Sequence, residues 1–222
     1  GANFIGRMSG KVVEAFVAKA DLLAASPAYS DQSGVDWKTA AASAAKVLNH
    51  IGGVDGMDPT GWTWYCNVDD IEKLSPTESP AEILWRGERA KSLSLEEDNF
   101  PPTLYGNGRI NPTQNLVDAF PMLNGYPVSH LSGEYDENLP YANRDPRLEA
   151  YILYNGCKAG NTNKEIFTAA DGTTNDALNK VVGRSTRTGY YLRKLLRQDI
   201  SLDPNAKADQ YHYTPRIRYT EI

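Results

Sequence analysis

Cysteine is scarce: two in 222 residues, Cys66 and Cys157. Neither has a Cys or His neighbour at zinc-ligand spacing, so a zinc module is excluded. The two read as separate thiols, and whether they pair stays open. Histidine is also sparse, with His50, His130 and His212 far apart. No local Cys–His or Ser–His–Asp signature surrounds them. Positive charge is not in excess: Lys and Arg number 23 against 28 Asp and Glu, for a net charge of −5. A nucleic-acid binder normally shows a basic face, so that class is disfavoured. No run of about 18 apolar residues reads as a membrane-spanning helix. The phosphate-binding patterns G-x-x-x-x-G-K-[ST] and G-x-G-x-x-G are missing, and Gly106-Asn107-Gly108 reads as a turn. Asp171-Gly-Thr-Thr-Asn-Asp176 lacks the closing Glu of a calcium loop. No metal or other cofactor is expected.

What the chain does have is helical periodicity at its start. Lys11–Ala25 reads as a helix with Ser9 as its cap, and Val12, Phe16, Ala20 and Leu23 fall on one face. Asp36–Ile51 reads as a second helix, capped by Asp36 and stopped by Gly52-Gly53. Trp37, Ala41, Ala44, Leu48 and Ile51 repeat its spacing, and Trp37 and Trp85 are expected in the core. The alanines let the two axes approach closely, as in a tetratricopeptide-type hairpin. Beyond residue 53 the composition turns to Gly, Pro, Asp and aromatics, which is loop chemistry. Glu82–Arg86 reads as a short buried strand, Lys91–Asn107 as a loop, and Val128–Arg144 as another. Ala150–Tyr154 is β-prone and ends at the Asn155-Gly156 turn. Gly189–Leu196 reads as its strand partner, with helix the competing assignment. Tyr211–Arg216 reads as extended, and Tyr219 onward as the start of a helix.

The most rule-bound stretch is Asn111-Pro-Thr-Gln-Asn-Leu-Val-Asp-Ala-Phe120. Asn111 suits an N-cap, Pro112 the first helical position, and Gln114 a capping box. Leu116 and Phe120 are expected to form a buried edge, and Pro121 to stop the helix. This stretch, with Met122 and Gly125, resembles the signature of the SusD/RagB family of surface glycan-binding lipoproteins. Asn143-Arg-Asp-Pro-Arg-Leu148 and Thr188-Gly-Tyr-Tyr-Leu-Arg-Lys194 support the resemblance, as does Gly6-Arg7 followed by the helix ending at Ala25-Ser26-Pro27. The segments occur in the family's order.

The resemblance implies a mainly α fold, with a tetratricopeptide-like helical hairpin scaffold, long loop-rich insertions and a few short strands. The whole of 1–222 then reads as a single domain fragment. It has a hairpin over 1–53, a loop-rich region over 54–218, and the start of a truncated helix at 219–222. It implies non-catalytic glycan binding at the bacterial outer membrane, on a lipid anchor carried outside this fragment. It also implies delivery to a SusC-like TonB-dependent transporter.

Sugar recognition needs flat aromatic faces and planar polar groups. Trp62, Trp64 and Tyr65 supply the first in one loop; Tyr105, Asn107 and Arg109 combine both in another. These six are the candidate ligand-binding residues. The competing reading has the same rings pinning the loops to the scaffold. A glycosidase needs two acids about 5–9.5 Å apart. Asp69-Asp70 and Glu96-Glu97-Asp98 are available, but nothing marks a pair, so no catalytic residue is assigned. A hydrolase and a peptide-binding hairpin module remain the alternatives. Arg144 and Arg147 flank Asp145, which suggests a local ion pair.

Overall fold

The computed structural model describes residues 6–59, 61, 81–87, 90–212 and 214–222. Trp62, Trp64, Tyr65, Cys66, Asp69 and Asp70 lie outside them. The chain divides into two compact units: Gly1–Gly61, Lys73–Ala90 and Tyr211–Ile222 form one, and Trp62–Glu72 and Lys91–Gln210 the other.

In the first unit, helix α1 (Gly10–Ala24) starts where the Ser9 hydroxyl accepts the Val12 N–H. Helix α2 (Ser30–Ser33) is a single turn ended by Gly34 in the left-handed region. Helix α3 (Trp37–Leu48) starts where Asp36 accepts the Thr39 N–H at 2.8 Å. These side-chain oxygens satisfy donors that the first helical turn leaves without partners. A 3₁₀ turn, Asn49–Ile51, extends α3 until Gly52 and Gly53 take positive φ and end it. Glu14, early in α1, bonds Lys46 and His50, while Asp21, late in α1, accepts the Ser43 hydroxyl. The two helices therefore run antiparallel.

The buried face of α1 is Val12, Ala15 and Ala18, and that of α3 is Ala40 and Val47. On α1 this corrects the expected face, of which Val12 is buried; on α3 and its 3₁₀ extension the expected Ala44, Leu48 and Ile51 do pack against this core. Phe16 and Leu23 are exposed, because the helices meet through small side chains and the bulkier ones turn outward. Trp37 is likewise not core: it is 57% exposed. It is the first residue of α3, where a side chain tilted toward the N-terminus overhangs the hairpin's end. Trp85, expected in the core, is half-buried and packs against it, with Phe16 edge-on at 5.6 Å, Arg216 over its ring and its indole N–H on the Gly6 carbonyl. It lies on the predicted strand, here Ile83–Arg86, which pairs antiparallel with Pro215–Arg218.

The second unit contains helices α4 (Ser94–Asn99), α5 (Gln114–Ala119) and α6 (Pro146–Tyr151). Helix α4 lies inside a predicted loop. Its sequence, SLEEDN, has no apolar period, and its buried positions are the polar Glu96 and Asn99. Glu96 is fully buried and accepts the Arg197 N–H at 2.9 Å. Helix α6 begins at Asp145-Pro146 and gives way to Ile152–Leu153, which pairs antiparallel with Tyr191–Leu192. The strand reading of Gly189–Leu196 is therefore the correct one. A small hairpin pairs Lys158–Ala159 with Lys164–Glu165.

Helix α5 also differs in detail from its expectation. Thr113, not Asn111, is the N-cap, accepting the Leu116 N–H. Asn111 instead donates to the Gly108 carbonyl and accepts the Arg187 N–H. Val117 is the buried residue, whereas Leu116 is 48% exposed. With only six residues, the helix has room for one inward position per turn.

Candidate functional site

Pro101 and Pro102 fix the backbone φ of a 3₁₀ turn, Pro102–Leu104. Phe100 and Leu104 point into a core shared with Leu153, Ile166, Tyr191, Leu196 and Ile200. The turn ends at Tyr105, which adopts a left-handed φ of 64°. That geometry costs a non-glycine residue energy. It leaves the Tyr105 ring 46% exposed while its neighbours are buried. Gly106 follows because a Cβ there would lie 2.1 Å from the Phe100 carbonyl oxygen.

Tyr105 forms one wall of a recess of about 180 Å³. The Lys158–Glu165 hairpin supplies Asn161, Thr162 and Lys164; the segment after the core residue Ile200 supplies Ser201 and Asp203. Phe100, Leu104 and Leu202 form an apolar floor. The Lys164 ammonium stands 5.7 Å from the centre of the Tyr105 ring, within range of a cation–π attraction. An apolar floor, one presented aromatic face and several planar or hydroxyl groups suit a sugar ring.

Among the expected site residues, Tyr105 lines this recess. Asn107 is half-buried, and its N–H is tied to the Glu97 carbonyl. Arg109 pairs with Asp98 through its Nε at 3.3 Å and is exposed. Trp62, Trp64 and Tyr65 fall outside the described residues. The recess residues that sequence reasoning missed are Asn161, Thr162, Lys164, Ser201 and Asp203. The run Asn161-Thr-Asn-Lys164 carries amide, hydroxyl and ammonium groups, but the aromatic ring it faces is about sixty positions away in the chain, and no local spacing links them.

The signature segments meet elsewhere in the same unit. Gln114 accepts the Tyr190 hydroxyl at 2.7 Å. Tyr141 is edge-on to Tyr190 and stacked on Tyr154 at 4.1 Å. Arg147 pairs with Asp145 at 2.6 Å, as expected. Arg144 does not join that pair and donates to the Pro140, Val117 and Phe120 carbonyls. Burial raises the Tyr141 phenol well above its ordinary value and pushes Tyr154 up to about 12. These groups stay neutral at physiological pH, and their hydrogen bonds and stacking tie the three segments into one core.

Burial also pushes the Cys157 thiol up to about 11, which makes it a poor nucleophile at neutral pH. Among the described residues, no three His, Cys, Asp or Glu side chains are grouped to hold a metal. No described helix is long and apolar enough to cross a membrane.

Asp176 lies behind the recess wall. It is fully buried, accepts the Thr103 N–H at 2.7 Å through Oδ1, and leaves Oδ2 without a hydrogen-bond partner. Burial is the largest influence on its carboxyl and raises its pKa. The folded chain therefore holds this proton more tightly than the unfolded chain. The Asp176 contribution to stability is greatest below the unfolded-state value near 4 and is lost as pH rises through the folded-state value. Asp176→Asn keeps the acceptor for Thr103 and removes the charge. The expected result is a higher thermal midpoint at pH 7 and a flatter pH dependence above pH 4, read by melts across pH. A lower midpoint at pH 7 would show that the ionised carboxylate is favoured in the fold.

Residues 84–222 match the sequence profile described as the SusD family. Among solved structures, a SusD-like carbohydrate binding protein from Bacteroides fragilis superposes with a TM-score of 0.71 at 21% identity, over 100% of this chain and 39% of that one. A second SusD-like protein from Bacteroides fragilis gives 0.68 at 22% identity, over 100% of this chain and 43% of its own. The fold is therefore SusD-like, and the chain spans about two fifths of the length of these two proteins. No curated protein sequence matches the chain.

Proposed function

The chain belongs to the SusD family, and on that premise we propose that it binds an oligosaccharide or polysaccharide segment without cleaving it. The observation that carries this reading is the Tyr105 ring, presented on a recess walled by amide, hydroxyl and ammonium groups. The ring offers a stacking face for the C–H side of a pyranose, and the rim offers partners for its hydroxyls. Trp62, Trp64, Tyr65, Asn107 and Arg109 are the further residues proposed to contact the sugar, by their chemistry alone. That one of the similar structures is a carbohydrate binding protein supports this reading.

The same premise supports an outer-membrane surface location, a lipid anchor outside this sequence, and hand-over of the glycan to a SusC-like TonB-dependent transporter. It also supports reading the α1–α3 hairpin as one tetratricopeptide-like unit, and the chain as one SusD-like domain piece.

Calorimetric titration with an oligosaccharide panel tests the reading. Wild type is expected to bind at least one member, and Tyr105→Ala to weaken that binding about tenfold, the size of one aromatic contact. Unchanged affinity in Tyr105→Ala would move the site away from this recess. A reducing-sugar assay on the same panel separates binding from hydrolysis, because a hydrolase would release new chain ends.

A further inference from the structure

We infer that the recess selects an acidic glycan, one whose sugar carries a carboxylate or a sulfate, with Lys164 as its anion-recognising residue. This rests on the carbohydrate-binding reading above and narrows it.

The first reason is the charge state of the recess. Most lysines with defined contacts are matched to a carboxylate: Lys19 to Glu221, Lys46 to Glu14, Lys91 to Asp209 and Lys207 to Glu97. Lys164 has no such partner among the described residues, and its ammonium is held over the Tyr105 ring. A cation beside an aromatic face, with no counter-charge in contact, is a prepared position for an anionic group on a stacked sugar.

The second reason is where the nearby acids point. Among the described residues Asp203 is the one carboxylate lining the recess, and its Oδ1 accepts the Asn205 N–H at 2.9 Å within its own turn. Glu165 follows Lys164 on the strand, where successive side chains project to opposite faces, and it is paired across from Lys158. Asp176 feels the Lys164 charge from behind the wall without touching it.

The third reason is the character of the remaining rim. Asn161, Thr162 and Ser201 are neutral groups able to bond ring hydroxyls. Lys164 is then the group that discriminates a charged sugar from its neutral counterpart.

The test uses matched pairs. Trigalacturonate is compared with its methyl ester, and a sulfated galactan oligosaccharide with its desulfated form. Calorimetry is run on wild type, Lys164→Gln, Lys164→Arg and Tyr105→Ala. Wild type is expected to prefer the acidic member of at least one pair by about tenfold, the size of one charge-assisted hydrogen bond. That preference should shrink at high ionic strength. Lys164→Gln should erase it by weakening the acidic member far more than the neutral one, and Lys164→Arg should restore it. Which pair responds distinguishes carboxylate from sulfate. Equal affinity for both members of each pair, or a preference that survives Lys164→Gln, overturns the inference. If binding is then still lost in Tyr105→Ala, the carbohydrate-binding reading stands. If no member of either pair binds wild type, the inference falls, and the oligosaccharide panel decides the carbohydrate-binding reading separately. Lys164 is exposed, so its variants are expected to fold, and unchanged melting midpoints check this.

Discussion

Arg144→Ala is expected to lower folding stability by about 3–5 kcal/mol, because it removes a charged donor from three buried or half-buried carbonyls at once. Arg144 is 6% exposed. Its Nη2 donates to the Val117 carbonyl at 2.7 Å and to the Phe120 carbonyl at 2.8 Å, and its Nη1 to the Pro140 carbonyl at 2.8 Å. The first two carbonyls lie at the end of helix α5, where last-turn carbonyls run out of N–H donors; Val117 has only the Phe120 N–H besides. A guanidinium there also opposes the negative end of the helix dipole. Lysine is not a substitute, since its ammonium cannot hold the planar fork that reaches both sides. Arg144→Lys is therefore expected to recover only part of the loss. Denaturant unfolding read by circular dichroism measures both. A loss below about 1 kcal/mol in Arg144→Ala, the level of a single ordinary hydrogen bond, would mean that the carbonyls find other donors.

Tyr191→Ala is expected to cost about 3–5 kcal/mol, as for other aromatic truncations in a core. Tyr191 is fully buried and pairs across the strands with Leu153. Its hydroxyl accepts the Thr186 N–H at 2.9 Å and donates to the Asp176 carbonyl at 2.9 Å. The backbone packs so tightly on the ring that a Cβ on Gly108 would lie 2.6 Å from it. Tyr191→Phe separates the two contributions, and about 1–2 kcal/mol is expected for the hydroxyl alone. The consequence reaches the recess, because Phe100, Leu104, Ile200 and Leu202 belong to the Tyr191 core and also line that recess. Tyr191→Ala is expected to lose glycan binding together with stability, whereas Tyr105→Ala loses binding at an unchanged melting midpoint. Comparing the two variants distinguishes a group that shapes the site from one that touches the ligand.

The starts of α1 and α3 were legible because capping is local, whereas the cap of α5 proved to be Thr113 and not the expected Asn111. Ser9 and Asp36 cap as their positions predict. The Ile152–Tyr191 strand pairing was legible from β-prone runs bounded by turn residues. Helix faces were harder, since alanines gave the close contact in α1 and α3 and left Phe16 and Trp37 outside. Helix α4 was invisible because its stability comes from tertiary partners such as Arg197 rather than from its own periodicity. The signature segments identified the family, yet Gln114, Arg144 and Tyr190 prove to be joints between distant parts of the chain. Of the recess, only Tyr105 was legible. Lys164 and Asn161 reach it through a hairpin whose position depends on the whole core beneath it.

The most direct measurement of carbohydrate binding without cleavage is equilibrium dialysis of reducing-end-labelled oligosaccharides against the protein, followed by chromatography of the recovered sugar. Saturable retention of at least one oligosaccharide, recovered at its original length, is the expected result. Shortened sugar would identify a hydrolase, and absence of saturable retention across neutral and acidic oligosaccharides would contradict glycan binding by this chain.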